Sequence, residues 1–172
     1  MAVRLTPTSF IVLGLVRWSP GASAYELEGT IRATVSHMWS IQRSQVYREP
    51  IRLAEAGLLE ATDTPERRGT GYAITPAGEQ ALDDWLAASA DEMPQMRDLS
   101  ILKLFFGATP ATLARTRILQ HQARLKEYEV LQAAGAMAPI GARRALQAAL
   151  LHERASIKFW SDLAKDEGDA AD

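Results

Sequence analysis

A chain of 172 residues, 47% hydrophobic and 23% charged, is long enough for one sizeable core or two modest domains and has ordinary globular composition. It contains no cysteine, which excludes disulfides, thiolate catalysis and cysteine-ligated metal centres. A net charge of −2 with a pI near 5.9 argues against a protein that coats nucleic acid by bulk electrostatics, so any such contact has to be local.

Thr6-Pro7 is a helix start, a capping hydroxyl followed by a proline whose missing N–H would have been unpaired anyway. The helix is expected to run to about Trp18. Its residues Phe10 to Val16 are apolar nearly all round apart from Gly14, which predicts cover on more than one side, one of them open to a second subunit. Arg17 and Pro20 stop this run far short of the ~18 apolar residues of a membrane span, and no secretory pattern precedes it, so a cytoplasmic protein without membrane association is expected. After Ser19-Pro20-Gly21, Ser23 and Glu26 form a capping box that opens a second helix carrying Tyr25, Leu27, Ile31 and Val35.

The stretch from Arg43 to Glu60, RSQVYREPIRLAEAGLLE, reads as an amphipathic helix started by Ser44 and ended by Gly57. Val46, Ile51, Leu53, Ala54 and Leu58 offer apolar contacts, and Gln45, Tyr47, Arg48, Glu49 and Arg52 supply polar heads. Joined to the preceding helix through His37 to Gln42, with Trp39 expected to plug the space beneath, it makes a helix-turn-helix whose second member is read as a DNA-recognition helix. Leu58 to Thr62 and Tyr72 to Thr75 read as two short strands around the polar loop from Pro65 to Gly71, a wing. Thr75-Pro76 then opens a helix with Ala77, Ala81, Leu82, Trp85 and Leu86 on one side. Positions 1 to 89 hold eight arginines and no lysine; the planar guanidinium suits bidentate contacts to phosphate or guanine, and a GC-rich genome yields the same bias.

A linker from Ser89 to Pro94 marks the boundary between domains 1–89 and 90–172. Leu99, Ile101, Leu102, Leu104, Phe105 and Phe106 predict a short, mostly buried helix ended by Gly107. A long helix from Thr109-Pro110 to about Ala133 carries Ala114, Ile118, His121, Leu125 and Tyr128 at spacings of four and three. Leu146, Leu150, Glu153, Ile157, Trp160 and Ala164 repeat that spacing in a last helix, with a frayed charged tail expected after Lys165. Two long helices with narrow apolar stripes are a hairpin suited to a partner, and a homodimer is expected. The fold class is therefore mostly α: a winged helix-turn-helix of three helices, a two-stranded wing and a linking helix, plus a C-terminal α-helical dimerisation domain.

Four segments together resemble the PadR family of bacterial transcriptional regulators, over nearly the whole chain: FIVLGLV at Phe10 to Val16, AYEL at Ala24 to Leu27, SQVYREPIRLAEAGLLE at Ser44 to Glu60 and YAITPAGEQALDDWL at Tyr72 to Leu86. LKLFFG at Leu102 to Gly107 and LLHERASIKFW at Leu150 to Trp160 are similar to the longer members, which have a helical dimerisation domain. The resemblance implies a dimeric winged-helix regulator whose grip on DNA is altered by a small-molecule effector or another signal. Pro50 departs from it, standing where many relatives have leucine; a proline inside a helix costs on the order of 3 kcal/mol, so a bent or late-starting helix is expected. The wing departs too, with fewer basic residues than many relatives.

On this reading the function is sequence-specific binding of double-stranded DNA at an inverted-repeat operator, as a repressor. Gln45, Tyr47, Arg48 and Arg52 are the groove-facing candidates, since Gln and Arg pair bidentately with adenine and guanine edges. Arg52 has a competing partner in Glu49 or Glu55, and Tyr47 has a competing place in the core. Loss of Arg48 or Arg52 is expected to weaken binding without changing the fold. Tyr25, Ser40 and Ser44 are candidate phosphate contacts, as are Arg67 and Arg68 at the wing tip. His37, His121 and His152 lack metal-ligand spacing, and no nucleophile elbow or phosphate-binding loop occurs, so no metal, cofactor or catalysis is expected. Trp18, Trp39, Trp85 and Trp160 suggest an aromatic effector pocket, or core filling. The alternative is a winged-helix protein-interaction module, or a ligand-binding protein, that never meets DNA.

Overall fold

The structure, a computed structural model, describes residues 3–36, 38–62, 69–91, 93, 96–135 and 139–169. The chain divides into two compact units, Met1–Glu92 and Met93–Asp172.

In the first unit the order is α1 (Pro7–Trp18), β1 (Ala22–Ser23), α2 (Ala24–Thr34), α3 (Arg43–Glu55), β2 (Leu59–Thr62), β3 (Gly71–Ile74) and α4 (Pro76–Ala87). The starts of α2 and α4 follow local chemistry. Glu26 accepts the Ser23 amide at 2.8 Å to complete the capping box of α2, and Thr75 Oγ1 accepts the Gly78 amide at 3.1 Å while donating to the Gly57 carbonyl at 2.7 Å. Gly57, at φ +74°, takes the left-handed position that ends α3. The sheet has three strands, not the two of a simple wing. Ala22 and Ser23 pair antiparallel with Tyr72 and Gly71 on the free side of β3, while β2 pairs with its other side, Leu59 opposite Ile74.

The core of this unit is built from Val12, Leu13, Leu15 and Val16 of α1, Leu27 and Ile31 of α2, Val46 and Leu53 of α3, Leu59, Tyr72 and Leu82. The first helix is covered within its own chain by α2, α3, α4 and β3, and Phe10 stacks on Trp85 with ring centroids 4.6 Å apart. Trp39 does not plug the helix-turn-helix: it is 48% exposed, because Val35 and Ile41 supply the apolar packing at that corner.

The second unit comprises α5 (Leu99–Phe105), α6 (Pro110–Ala134) and α7 (Ile140–Asp169). The apolar stripes of α6 and α7 close on each other, burying Ala114, Tyr128, Leu150 and Trp160, and His121 Nδ1 lies 2.5 Å from the buried Glu153 carboxylate. The last helix continues to Asp169, past the start of the tail expected after Lys165. Asp98 caps α5 through the Ser100 amide at 2.7 Å and pairs with Arg117 of α6. The expected burial of α5 is not found: Leu99, Leu102, Phe105 and Phe106 are half or more exposed, because a seven-residue helix apolar on nearly every side has only its Ile101 and Leu104 side covered. Among the described residues no helix is long and apolar enough to cross a membrane.

Gly78, in the first turn of α4, sits against the turn between α3 and β2: a Cβ there would fall 2.1 Å from the backbone carbonyl oxygen of Leu58. Gly78→Ala is expected to destabilise the first unit by about 2–3 kcal/mol in urea unfolding, since backbone, not a side chain, has to move. Gly29→Ala, with nothing within 4 Å of its added carbon, is expected to stabilise α2 by about 0.5–1 kcal/mol.

Candidate DNA-binding helix

The candidate helix α3 starts at Arg43, two residues earlier than a cap at Ser44 predicts. Gln42 is its N-cap, and Gln45 Oε1 accepts the Gln42 amide at 3.2 Å, a reciprocal device that leaves Ser44 exposed in the first turn. The late start expected from Pro50 is absent, and α3 runs unbroken from Arg43 to Glu55. Pro50 is buried on the core side with Val46 and Leu53; it offers no N–H to the Val46 carbonyl one turn back, and apolar packing offsets that loss.

Two carboxylates from other helices and from α3 itself set its orientation. On one side Glu28 of α2 accepts from the Tyr47 hydroxyl at 2.8 Å and pairs with Arg43 at 3.2 Å, and the Arg43 guanidinium lies 5.7 Å from the centre of the Tyr47 ring. On the other side Glu49 accepts from Ser9 Oγ at 2.6 Å and from Arg52 Nε at 3.0 Å and Nη2 at 2.5 Å. Ser9, fully buried, also accepts from Arg52 Nη2 at 3.0 Å and from the Thr6 amide at 2.8 Å, and Arg52 Nη1 donates to the Arg4 carbonyl at 3.2 Å. Burial pushes the Glu49 pKa up, but the Arg52 and Ser9 hydrogen bonds and the Arg52 charge outweigh it, leaving the carboxyl below the usual carboxylate range.

The groove-facing candidates therefore separate. Tyr47 is half-buried with its hydroxyl engaged by Glu28, and Arg52 is tied to Glu49, Ser9 and Arg4; its loss is not the fold-neutral change the sequence suggested. Arg48 and Gln45 are exposed on one face of α3 with Ser44, Ile51 and Glu55. Arg48 has no polar partner among the described residues. This face borders a shallow concavity of about 560 Å³, completed by Thr6 and Thr8 from the start of α1. Tyr25, in the first turn of α2, and Ser40, in the connection before α3, are exposed, while Arg67 and Arg68 lie outside the described residues. Glu28 and Ser9 escape a sequence reading, whereas Glu49, three residues from Arg52 on the same helix, is one of the two partners the sequence offers that arginine. The tryptophans do not gather: Trp85 is taken up by Phe10, Trp18 and Trp39 are about half exposed, and Trp160 is buried between α6 and α7. Among the described residues no group of three or more His, Asp or Glu side chains is placed to hold a metal.

Because the folded Glu49 has a depressed pKa, its contribution is present above the ordinary carboxylate pKa and is lost as pH falls through the folded value. Unfolding by urea is expected to show a falling midpoint across that acid window, and Glu49→Gln to flatten the fall at the expense of stability near neutral pH. Ser9→Ala, which removes a donor to Glu49 and the acceptor of the Thr6 amide, is expected to cost about 1–3 kcal/mol by the same measurement.

No family model matches the chain. It is 27% identical over 138 residues to the negative transcriptional regulator PadR of Bacillus subtilis (strain 168), covering 72% of this chain and 74% of that protein. Among solved structures, a PadR-like transcriptional regulator from Bacillus cereus superposes with a TM-score of 0.81 at 15% identity, covering 96% of this chain and 99% of the other. Bacillus subtilis PadR in complex with operator DNA gives a TM-score of 0.77 at 21% identity over 91% of this chain and 96% of that one, and its complex with p-coumaric acid gives 0.75 at 23% over the same shares. At these identities the structural likeness establishes the fold, and it bears out the mostly α winged-helix architecture. The chain is therefore similar in sequence to PadR and shares the fold of the PadR-like regulators.

Proposed function

We propose that the chain is a sequence-specific DNA-binding transcriptional regulator, a homodimeric repressor that grips an inverted-repeat operator and is released by a small-molecule effector. The observation that carries this is the exposed face of α3, where Arg48 and Gln45 stand outward on a helix whose other faces are fixed by Glu28, Glu49 and the core. A helix held in this way can enter a major groove without paying a large ordering cost on binding. The PadR of Bacillus subtilis, a negative transcriptional regulator solved with operator DNA and with p-coumaric acid, supports the repressor and effector parts of the reading. Its relatives being regulators, the chain is read as acting in the cytoplasm without catalysis, cofactor or metal.

In this reading Arg48 and Gln45 address bases, while Ser44, Ser40 and Tyr25 address phosphates, with Arg67 and Arg68 of the wing. Tyr47 and Arg52 serve chiefly by aiming the helix. The second unit is the dimerisation domain, and the exposed Leu99, Leu102, Phe105 and Phe106 of α5, with Leu119, Val130 and Phe159, supply apolar surface for the partner. The acidic net charge also suits a protein-interaction module that never meets DNA. Salt dependence separates the two, because release of phosphate counterions gives a steep, linear fall of log affinity with log salt concentration.

Selection of bound fragments from the source genome by the full-length protein is expected to recover inverted repeats whose half-sites lie about one DNA turn or a multiple apart. Arg48→Ala is expected to cost about 1–3 kcal/mol in a gel-shift at fixed salt with an unchanged urea midpoint, and Arg52→Ala to lower that midpoint as well. Unchanged affinity in both variants would remove α3 from the interface. The isolated chain is expected to elute at the mass of a dimer at micromolar concentration.

A further inference from the structure

On the exposed face of α3 one residue does not fit a purely polar reader. The exposed positions are Arg43, Ser44, Gln45, Arg48, Ile51 and Glu55, and Ile51, 52% exposed, is the sole apolar side chain among them. A lone exposed aliphatic residue is ordinary on a protein surface. Its position is what makes this one informative. Ser44, Arg48, Ile51 and Glu55 fall at successive steps of four, three and four, so Ile51 stands one turn beyond Arg48 on the same stripe, and both line the concavity that Thr6 and Thr8 complete. The core does not need it: Val46, Pro50 and Leu53 fill the buried side of the helix. Its branch at Cβ also holds it to essentially one χ1 rotamer in a helix, which makes it a fixed probe where a lysine or glutamine would be a mobile one.

The edges of the bases in a major groove carry one apolar group, the 5-methyl of thymine. We propose that Ile51 is a specificity-determining residue of the DNA interface, packing against the methyl group of a thymine in each half-site beside the base addressed by Arg48. The inference rests on the DNA-binding reading of α3 and adds to it the identity of a base. It also accounts for Glu55 at the next step of the stripe: a carboxylate with no polar partner among the described residues is repelled by phosphate, and the apolar contact keeps this part of the helix over base edges.

The test uses full-length protein and a duplex recovered by the selection described above, in which each thymine is replaced in turn by deoxyuridine. This deletes the methyl and leaves base pairing and phosphate charge intact. Wild-type protein is expected to lose about fourfold in affinity at one thymine per half-site, the worth of one buried methyl. Ile51→Ala is expected to lose a similar factor on the thymine duplex, to show no further loss on the deoxyuridine duplex, and to keep the salt slope and urea midpoint of the wild type. Wild-type binding indifferent to every replacement overturns the inference, as does an Ile51→Ala variant that still senses the same methyl. Either result, obtained with protein that binds the parent duplex, leaves the DNA-binding reading standing; failure to select any duplex removes that reading and this inference with it.

Discussion

The orientation of α3 depends on two carboxylates. Glu28 holds the Tyr47 and Arg43 side of the helix against α2, and Glu49 holds its opposite side against the start of α1 through Ser9 and Arg52. Apolar packing of Val46, Pro50 and Leu53 brings the helix to the core, but a cylinder with an apolar stripe can still rotate and slide. Directional hydrogen bonds on both flanks restrict that freedom. The Glu49 cluster is costly to desolvate and is stabilised by being fully partnered, so its benefit lies in fixing one geometry more than in raw stability.

This arrangement divides labour among the polar residues of a single helix. Those on the flanks, Tyr47, Glu49 and Arg52, face protein, and those on the outward stripe, Ser44, Gln45, Arg48 and Glu55, are exposed together with the apolar Ile51. Pro50 belongs to the first group. Its rigid ring is buried on the core side with Val46 and Leu53. The Glu49 network also joins α3 to the start of α1, so Arg4, Thr6 and Ser9 share one set of hydrogen bonds with Glu49 and Arg52.

What was legible in the sequence was what short-range chemistry decides. The Ser23-x-x-Glu26 box, the two Thr-Pro starts at 6 and 75, Gly57 and Gly107 at positive φ and the periodic stripes of α6 and α7 are all encoded within a few residues of where they act. What was hidden depends on partners far away in the chain. Strand β1 is two residues whose strand character comes from pairing with β3, Ala22 with Tyr72 and Ser23 with Gly71, far along the chain. Ser9 meets Glu49 across 40 positions and Tyr47 meets Glu28 across 19, and neither pairing leaves a local signature. The cap of α3 was misplaced by two positions because Gln45 reaches back to Gln42 more effectively than Ser44 caps the turn beyond it. The exposure of α5 is of the same origin, since an apolar run predicts burial without saying which surface provides it.

We propose that α3 reads base edges in a major groove through its outward stripe. Methylation interference on a selected duplex tests it most directly, because methylation of guanine N7 blocks the edge that an arginine contacts. Interference is expected at guanines in both half-sites with the wild-type protein, and its loss at one guanine per half-site with Arg48→Ala. Tight binding with no major-groove interference, or an identical pattern for the two proteins, would contradict it.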